Sequence, residues 1–277
     1  MRADLHVHSN ASDGTDPPAG VMRNAVAAGL DVVALTDHDT VAGHAEARAA
    51  LSPGLTLLPG MELSCELAGR SVHMLAYLFD PDRGELAAET ARIRDDRVFR
   101  AQAMVARLAE LGAAVTWEQV TGIAGASVVG RPHIARAMAA AGVVETPEDA
   151  FTAEWIGDDG RAYARKYALD PARAIRLVRE AGGVTVLAHP RSGGAWNLSD
   201  EEIASLAAVG LAGVEVGHPD HPDSERRSLL RLATDLALIP TAGSDDHGSF
   251  TGSRMGSETC GAEAYAGLLA RAPGPHP

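Results

Sequence analysis

Short apolar runs that end in a histidine or an acid, separated by segments of helical spacing, recur at both ends of this chain, and they constrain its fold more than any other feature. Asp4-Leu5-His6-Val7-His8 alternates as a strand does, and Pro17-Pro18 followed by Ala/Val-rich sequence to Gly29 starts and stops a helix. Strands follow at Asp31–Thr36, Leu55–Glu62 and Ser71–Leu78, with a helix over 43–50. The alternation resumes after Pro171: helix 171–181, strand Val184–Ala188, helix 200–208, strand Gly213–Val216, helix 223–236 and strand Leu238–Ala242. Parallel strands need crossover helices, so this order predicts an α/β fold built on a parallel sheet or barrel.

Between Gly84 and Lys166 the pattern is helical throughout: Glu85–Leu111, Trp117–Ile123, Pro132–Ala141 and Pro147–Trp155. The expected organisation is a barrel made of 1–84 and 167–277, with 85–166 as a helical insertion that caps the substrate. A chain of 277 residues that is 46% hydrophobic can fill such a core, and disorder is expected only at 272–277. The net charge of −13 argues against a broad duplex-binding face or an anionic membrane surface, and leaves room for a small anionic substrate. Two cysteines, Cys65 and Cys260, make no disulfide framework, which suits a reducing cytoplasm. No apolar run approaches the roughly 20 residues that cross a bilayer, and no signal-peptide pattern opens the chain.

His6 and His8 stand two apart on one strand, so both side chains share a face, and Asp13 follows in the adjoining loop. Later strands deliver Asp37-His38-Asp39, Glu62, His73, His189, Glu215 with His218, and Asp245-Asp246-His247. One histidine on an apolar strand is more often a hydrogen-bonded core residue than a ligand. Ionisable groups crowded at the C-terminal end of every strand are costly to desolvate, and bound cations are the simplest compensation. Imidazole and carboxylate without thiolate suit Mn²⁺, Fe²⁺, Zn²⁺ or Mg²⁺. The candidates exceed what one ion needs, so two or three ions about 3.5–4 Å apart are expected, with Glu62 as a bridging carboxylate.

The motifs Asp4-Leu5-His6-Val7-His8-Ser9, Ser12-Asp13-Gly14-Thr15, Leu35-Thr36-Asp37-His38-Asp39-Thr40, Gly60-Met61-Glu62, Leu187-Ala188-His189-Pro190 and Gly243-Ser244-Asp245-Asp246-His247-Gly248 resemble, in order, those of the PHP (polymerase and histidinol phosphatase) family. The helical block between His73 and His189 resembles the subgroup that includes nucleoside 3′,5′-bisphosphate phosphatases. The resemblance implies a distorted (β/α)₇ barrel with a helical insertion. It also implies that His6, His8, Glu62 and Asp245 hold one ion, Glu62, His73 and His189 a second, and Asp13, His38 and His247 a third. Which of His133, His189 and His218 completes the coordination of the second ion stays open. The subgroup leads one to expect an aromatic residue where Asp246 stands, so either Asp245 or Asp246 can serve as ligand, with Asp245 favoured.

Such a site implies a metal-dependent phosphoric monoester hydrolase, with Mn²⁺ the favoured ion and a metal-bound hydroxide attacking phosphorus in line. Arg131-Pro132-His133 opens a helix in the insertion, and Arg131, His133 and Lys166 are expected to grip the phosphate that is not cleaved. A solvated surface is the plainer reading of Arg131 and Lys166. His218 is the candidate to protonate the leaving hydroxyl or touch the attacked phosphate, and Asp37, with Asp39, to orient ligand imidazoles in support of catalysis. Trp117, Trp155, Tyr163 and Tyr167 are candidate platforms for a base, although each is more often core. The expected reaction removes the 3′-phosphate of a nucleoside 3′,5′-bisphosphate such as 3′-phosphoadenosine 5′-phosphate. The alternatives are a 5′-to-3′ exoribonuclease on short RNA, a histidinol-phosphate-type phosphatase, and a non-catalytic metal-binding module. No protein partner is required by any of them.

Overall fold

The computed structural model describes residues 1–125, 127–193 and 197–274, so the end of the expected disordered tail, 275–277, lies outside the described residues. Among the described residues, seven strands form one sheet in chain order: β1 (Ala3–Val7), β2 (Val32–Leu35), β3 (Thr56–Leu67), β4 (Arg70–Tyr77), β5 (Val184–Leu187), β6 (Gly213–Gly217) and β7 (Ile239–Ala242). β1 to β3 pair in parallel, as do β5 to β7. Their crossovers carry α1 (Pro18–Ala27), α2 (His44–Ala49), α7 (Asp200–Ala208) and α8 (Asp223–Asp235), while α6 (Pro171–Glu180) leads into β5.

β4 runs antiparallel to both neighbours, an extra strand pairing within an otherwise parallel order. Only Ala68 and Gly69 join β3 to β4, and their φ angles of 51° and 80° are the left-handed pair of a tight hairpin. Two residues cannot hold a crossover, so the chain must turn back.

The barrel shuts between β7 and β1, where the Asp245 N–H donates to the His6 carbonyl at 2.8 Å and the His8 N–H to the Asp246 carbonyl at 2.9 Å. Inside it Leu5, Ala34, Leu58, Leu75, Tyr77, Val186 and Ile239 pack together, and the Tyr77 hydroxyl donates to the Leu5 carbonyl at 2.6 Å. Outside, α1 lays Val21, Met22 and Ala25 on Val33 and Leu35. Each large side chain buried this way stabilises the fold by about 1.5–3 kcal/mol. A helix the strand pattern did not announce, α9 (Ala262–Arg271), adds Leu268 to the inner core, and Arg271 donates to the carbonyls of Ala212 and Ala237.

The chain divides into two compact units, 1–90 with 168–277, and 91–167. The second holds most of α3 (Gly84–Glu110), α4 (Trp117–Ala124) and α5 (Arg131–Ala140) around Met104, Leu108, Val120, Ile134, Met138 and Ile156. Thr116 starts α4 with a capping box, exchanging hydrogen bonds with Gln119. The helix expected over 147–155 is only a short 3₁₀ turn at Glu148–Ala150. There the Asp149 carboxylate turns back onto the Thr146 N–H and hydroxyl, offering the backbone a turn in place of a helix. No helix of the described residues is long and apolar enough to cross a membrane.

Candidate metal centre

Parallel strands all present their C-terminal ends at one mouth, and the polar residues of the sequence motifs meet there. β1 brings His6 and His8, with Asp13 in the loop beyond, and His38 follows β2. His73 lies on β4, His189 just after β5, His218 after β6, and Asp245 and His247 after β7. Glu62 is not at a strand end as expected. It lies mid-way along β3, bridged to His38, where the strand leaves its parallel partner and runs on into the hairpin.

Glu62 is 1% exposed, and its two carboxylate oxygens face different histidines. Oε1 lies 2.9 Å from His73 Nδ1 and 3.1 Å from His189 Nε2, while Oε2 lies 2.9 Å from His38 Nδ1, 3.2 Å from His8 Nε2 and 3.5 Å from His6 Nε2. Asp245 Oδ1 approaches the same two β1 histidines, 3.3 Å from His6 Nε2 and 3.2 Å from His8 Nε2. On the far side of His8, Asp13 Oδ1 lies 3.3 Å from His247 Nε2 and 3.7 Å from His8 Nδ1, and its Oδ2 lies 3.7 Å from His38 Nε2.

Among the described residues, four sets of side chains are close enough to share an ion: His8, Asp13, His38 and His247; His6, His189 and Asp245; His6, His8 and Glu62; and His38, Glu62 and His73. The donor set fits divalent cations, and buried imidazole nitrogens test the fit: His8 Nδ1 and His38 Nδ1 make no hydrogen bond although both face carboxylates. A lone pair withheld from water and from any hydrogen bond is what a ligating nitrogen looks like before its ion is considered. His8 thereby faces two sets, one through each ring nitrogen, a sharing that the motif spacing did not disclose.

Around these groups lies a supporting layer. Glu215, buried on β6, accepts from His6 Nδ1 at 3.1 Å and from the His189 N–H at 2.8 Å, so the His6 proton is fixed on Nδ1 and Nε2 is left toward the cluster. Glu215 stood among the strand-end acids in the sequence, but only its pairing distance reveals this role. Asp37, expected to support catalysis, reaches the loop that follows β1. Its carboxylate accepts from the Ser9 N–H at 2.8 Å, the Ser9 hydroxyl at 2.7 Å and the Ser12 hydroxyl at 2.7 Å, and so anchors the loop that carries Asp13. Asp39 likewise accepts from the Ser64 N–H and hydroxyl, at 2.7 and 2.8 Å. His218 Nδ1 accepts from the Asp220 N–H at 3.1 Å, which leaves the ring proton on Nε2, 3.4 Å from Asp245 Oδ2.

Charge organises the cluster. Burial pushes the Glu62 carboxyl up, yet the fields of His38, His73 and His6 outweigh it and hold it well below the usual range. Burial likewise opposes ionisation of Asp245, and His6 and His247 overcome it. Burial also opposes charge on His8, but its hydrogen bonds and ion pairs with Asp245 and Glu62 push it up to about 10. Asp39, His189 and Asp245 sit at φ angles of 55°, 25° and 49°, left-handed conformations that non-glycine residues adopt at a cost of order 1–3 kcal/mol each.

In the second unit Arg131 pairs with Asp158 at 2.7 Å and stands over the rings of Phe151 and Tyr163. His133 is buried in α5, its Nδ1 accepting from the Gly130 N–H at 3.0 Å. Lys166 belongs to the same unit. Two residues that the sequence reasoning passed over join Arg131 there: Arg97 and Arg100, both 8% exposed, one turn apart on α3, line a small cleft with it. Their spacing of three on a helix was the available signal. Burial, and then the charges of Arg131 and Arg97, lower Arg100 to about 10. Trp117 and Trp155 pack against the helical core, while Tyr163 and Tyr167 lie beneath Arg100 and Arg92.

A histidine and carboxylate cluster of this kind, on a barrel of this topology, defines a class of enzyme, the metal-dependent phosphoesterases, and this chain is one of them. It belongs to the PHP family, whose domain matches residues 4–113. Over 88% of its length it is 32% identical to a 5′-3′ exoribonuclease of Haemophilus influenzae, covering 89% of that protein. It is 31% identical to a 3′,5′-nucleoside bisphosphate phosphatase of Chromobacterium violaceum, across 91% of this chain and 89% of the relative. A phosphoribosyl 1,2-cyclic phosphate 1,2-diphosphodiesterase of Eggerthella lenta is 33% identical across 90% and 95%. The fold superposes with a TM-score of 0.90 on a candidate metal-dependent phosphoesterase from Bifidobacterium adolescentis, 36% identical, covering 97% of this chain and 96% of the other.

Proposed function

We propose that the chain hydrolyses the 3′-phosphate of nucleoside 3′,5′-bisphosphates, 3′-phosphoadenosine 5′-phosphate among them, to leave the 5′-mononucleotide. The observation that carries the reading is the gathering of Arg97, Arg100 and Arg131 in one helical unit of a chain with a net charge of −13. Like charges held together and partly desolvated favour an anion, and guanidinium groups suit phosphate in particular. A second phosphate on the substrate would add a partner of opposite sign to those that Arg131 and Arg100 already have in Asp158 and the Ala164 carbonyl. The relative from Chromobacterium violaceum supports this choice by its name.

In this reading His6, His8, Glu62 and Asp245 hold one divalent ion, Glu62, His73 and His189 a second, and Asp13, His38 and His247 a third, with Mn²⁺ favoured. Such ions supply Lewis acidity to the phosphoryl oxygens and bring the pKa of a bound water toward neutrality. The protein's own part is orientation. Glu62 spans two histidine sets, Glu215 fixes the His6 tautomer, and His218 offers its Nε2–H as a hydrogen-bond donor to the attacked phosphate. Arg131, His133 and Lys166, joined by Arg97 and Arg100, take the 5′-phosphate. Asp37 supports the Asp13 loop and needs no proton-transfer role. A cytoplasmic setting agrees with two free cysteines, Cys65 and Cys260.

Relatives named as 5′-3′ exoribonucleases favour a second reading, in which the same grip holds the 5′-phosphate of a short RNA. A phosphate-release screen with Mn²⁺ separates the two. Release from 3′-phosphoadenosine 5′-phosphate faster than mononucleotide release from a 5′-phosphorylated RNA of a few residues is expected. No release from any nucleoside bisphosphate, or activity confined to RNA or to a ribose cyclic phosphate, would overturn the first reading.

A further inference from the structure

Asp246 stands where the resemblance leads one to expect an aromatic residue, and the structure gives it a job. It is buried, and its Oδ1 accepts from the Arg254 N–H at 2.7 Å and from the Thr251 hydroxyl at 3.3 Å. The Thr251 oxygen in turn accepts from the His247 N–H at 2.8 Å. These bonds fold residues 246–254 back on themselves and bring the Arg254 side chain onto Asp245. There its Nε and Nη2 donate to the Asp245 carbonyl at 3.3 and 3.0 Å, and Nη2 also reaches Asp245 Oδ2 at 3.4 Å.

The two oxygens of Asp245 thus live in different surroundings. Oδ1 faces His6 Nε2 and His8 Nε2 at 3.3 and 3.2 Å, whereas Oδ2 is held 3.4 Å from both Arg254 Nη2 and His218 Nε2. The backbone at Asp245 is left-handed, with φ at 49°, a conformation that needs support from its surroundings. The guanidinium supplies that support by tying down the carbonyl of the same residue.

We propose that Arg254 is a positioning residue for the metal centre: delivered by the Asp246 carboxylate, its guanidinium occupies one oxygen of Asp245 so that the other alone is offered to an ion. The proposal rests on reading the cluster as a metal centre. It assigns the adjacent aspartates separate duties, the first as ligand and the second as the fastener of the loop that orients it.

Sign decides the test. By charge alone, a guanidinium beside a cation site weakens the binding of the cation, so its removal should tighten the site. If it orients the carboxylate, its removal should loosen the site despite the charge relieved. Mn²⁺ affinity and stoichiometry are measured by calorimetry on Arg254→Gln, Arg254→Lys, Asp246→Ala and Asp246→Asn, with circular dichroism to verify folding. Arg254→Gln and Asp246→Ala are each expected to weaken Mn²⁺ binding by about tenfold or more, within the span found for supporting partners of metal ligands. Arg254→Lys keeps the charge but cannot span carbonyl and carboxylate together, and should also weaken binding. Asp246→Asn keeps an acceptor for the Arg254 N–H and should stay near the unaltered protein. The Asp246→Ala, Arg254→Gln pair should be no weaker than either single change, because both remove one device. An Arg254→Gln protein that folds and binds Mn²⁺ as tightly as the unaltered chain, or more tightly, overturns the proposal alone. An unaltered chain that binds no Mn²⁺ overturns the metal reading and the proposal with it.

Discussion

The main-chain N–H of Asp245 donates to the carbonyl oxygen of His6 at 2.8 Å, so the bond that shuts the barrel also sets a carboxylate opposite a histidine. Closure and the site share this contact. The approach is possible because Gly243 precedes the loop: a Cβ there would stand 2.3 Å from His6 Cβ and 2.7 Å from the His6 nitrogen.

Gly243→Ala should therefore force β7 and β1 apart. A loss of about 1–3 kcal/mol in stability is expected from overpacking of this kind. Urea unfolding should show it, together with weaker Mn²⁺ binding. A variant with the midpoint and metal affinity of the unaltered chain would contradict the account of closure.

Glu62 and Glu215 are both buried acids touching histidines, yet only Glu62 faces several ligand sets at once. Glu215→Gln should cost roughly 10–100-fold in metal affinity or activity, the usual effect of losing a partner behind a ligand. Glu62→Gln should cost more and lower the number of ions bound. Metal analysis of both purified variants, beside their turnover, checks the order; the reverse order would reassign the bridging role.

Removal of metal should reveal the charges the cluster keeps for itself. Burial disfavours charge on His8, but Asp245 and Glu62 raise it from the ordinary 6.5 to about 10, while Glu62, despite its burial, is held well below 4.5 by His38, His73 and His6. A base raised on folding lends stability that is whole below its unfolded pKa of 6.5 and is lost as the pH climbs through about 10. An acid lowered on folding lends stability that is present above 4.5 and lost as the pH falls through its folded value. The chelated protein should be most stable between pH 4.5 and 6.5 and melt progressively lower toward pH 10. Mn²⁺ must displace the histidine protons, so its stabilisation should grow across that same rise. Thermal melts with EDTA and with Mn²⁺ at a series of pH values measure both trends, and a flat profile in EDTA would refute them.

Arg131 gives a test of the second unit. Arg131→Met should raise KM for 3′-phosphoadenosine 5′-phosphate roughly 10-fold or more, as for a lost charged hydrogen bond of about 1.5–3 kcal/mol. Hydrolysis of a substrate with a single phosphate, such as p-nitrophenyl phosphate, should be unchanged. Equal losses on both substrates would make Arg131 a structural partner of Asp158 instead.

Much of this site was legible because strand order and ligand order coincide: His6 and His8, His38, His73, His189 and His247 each announce themselves within or just beyond an apolar run. The antiparallel turn of β4 was not legible, since it depends on two left-handed residues, Ala68 and Gly69, of which only the glycine advertises itself. Asp37 and Glu215 show why roles are harder to read than positions. Both are buried acids in strand-end motifs, and only their partners, two serines in one case and two histidines in the other, tell anchor from tuner. Arg97 and Arg100 were hidden because an arginine-rich helix looks like a solvated one until burial is known.

The central claim is that side chains from all around the barrel share cations at one mouth. Crystals grown with Mn²⁺ and measured at the manganese absorption edge test it most directly. Two or three anomalous peaks about 3.5–4 Å apart are predicted, ringed by His6, His8, Asp13, His38, Glu62, His73, His189, Asp245 and His247. Peaks elsewhere on the molecule, or none in Mn²⁺-saturated crystals, would contradict the account.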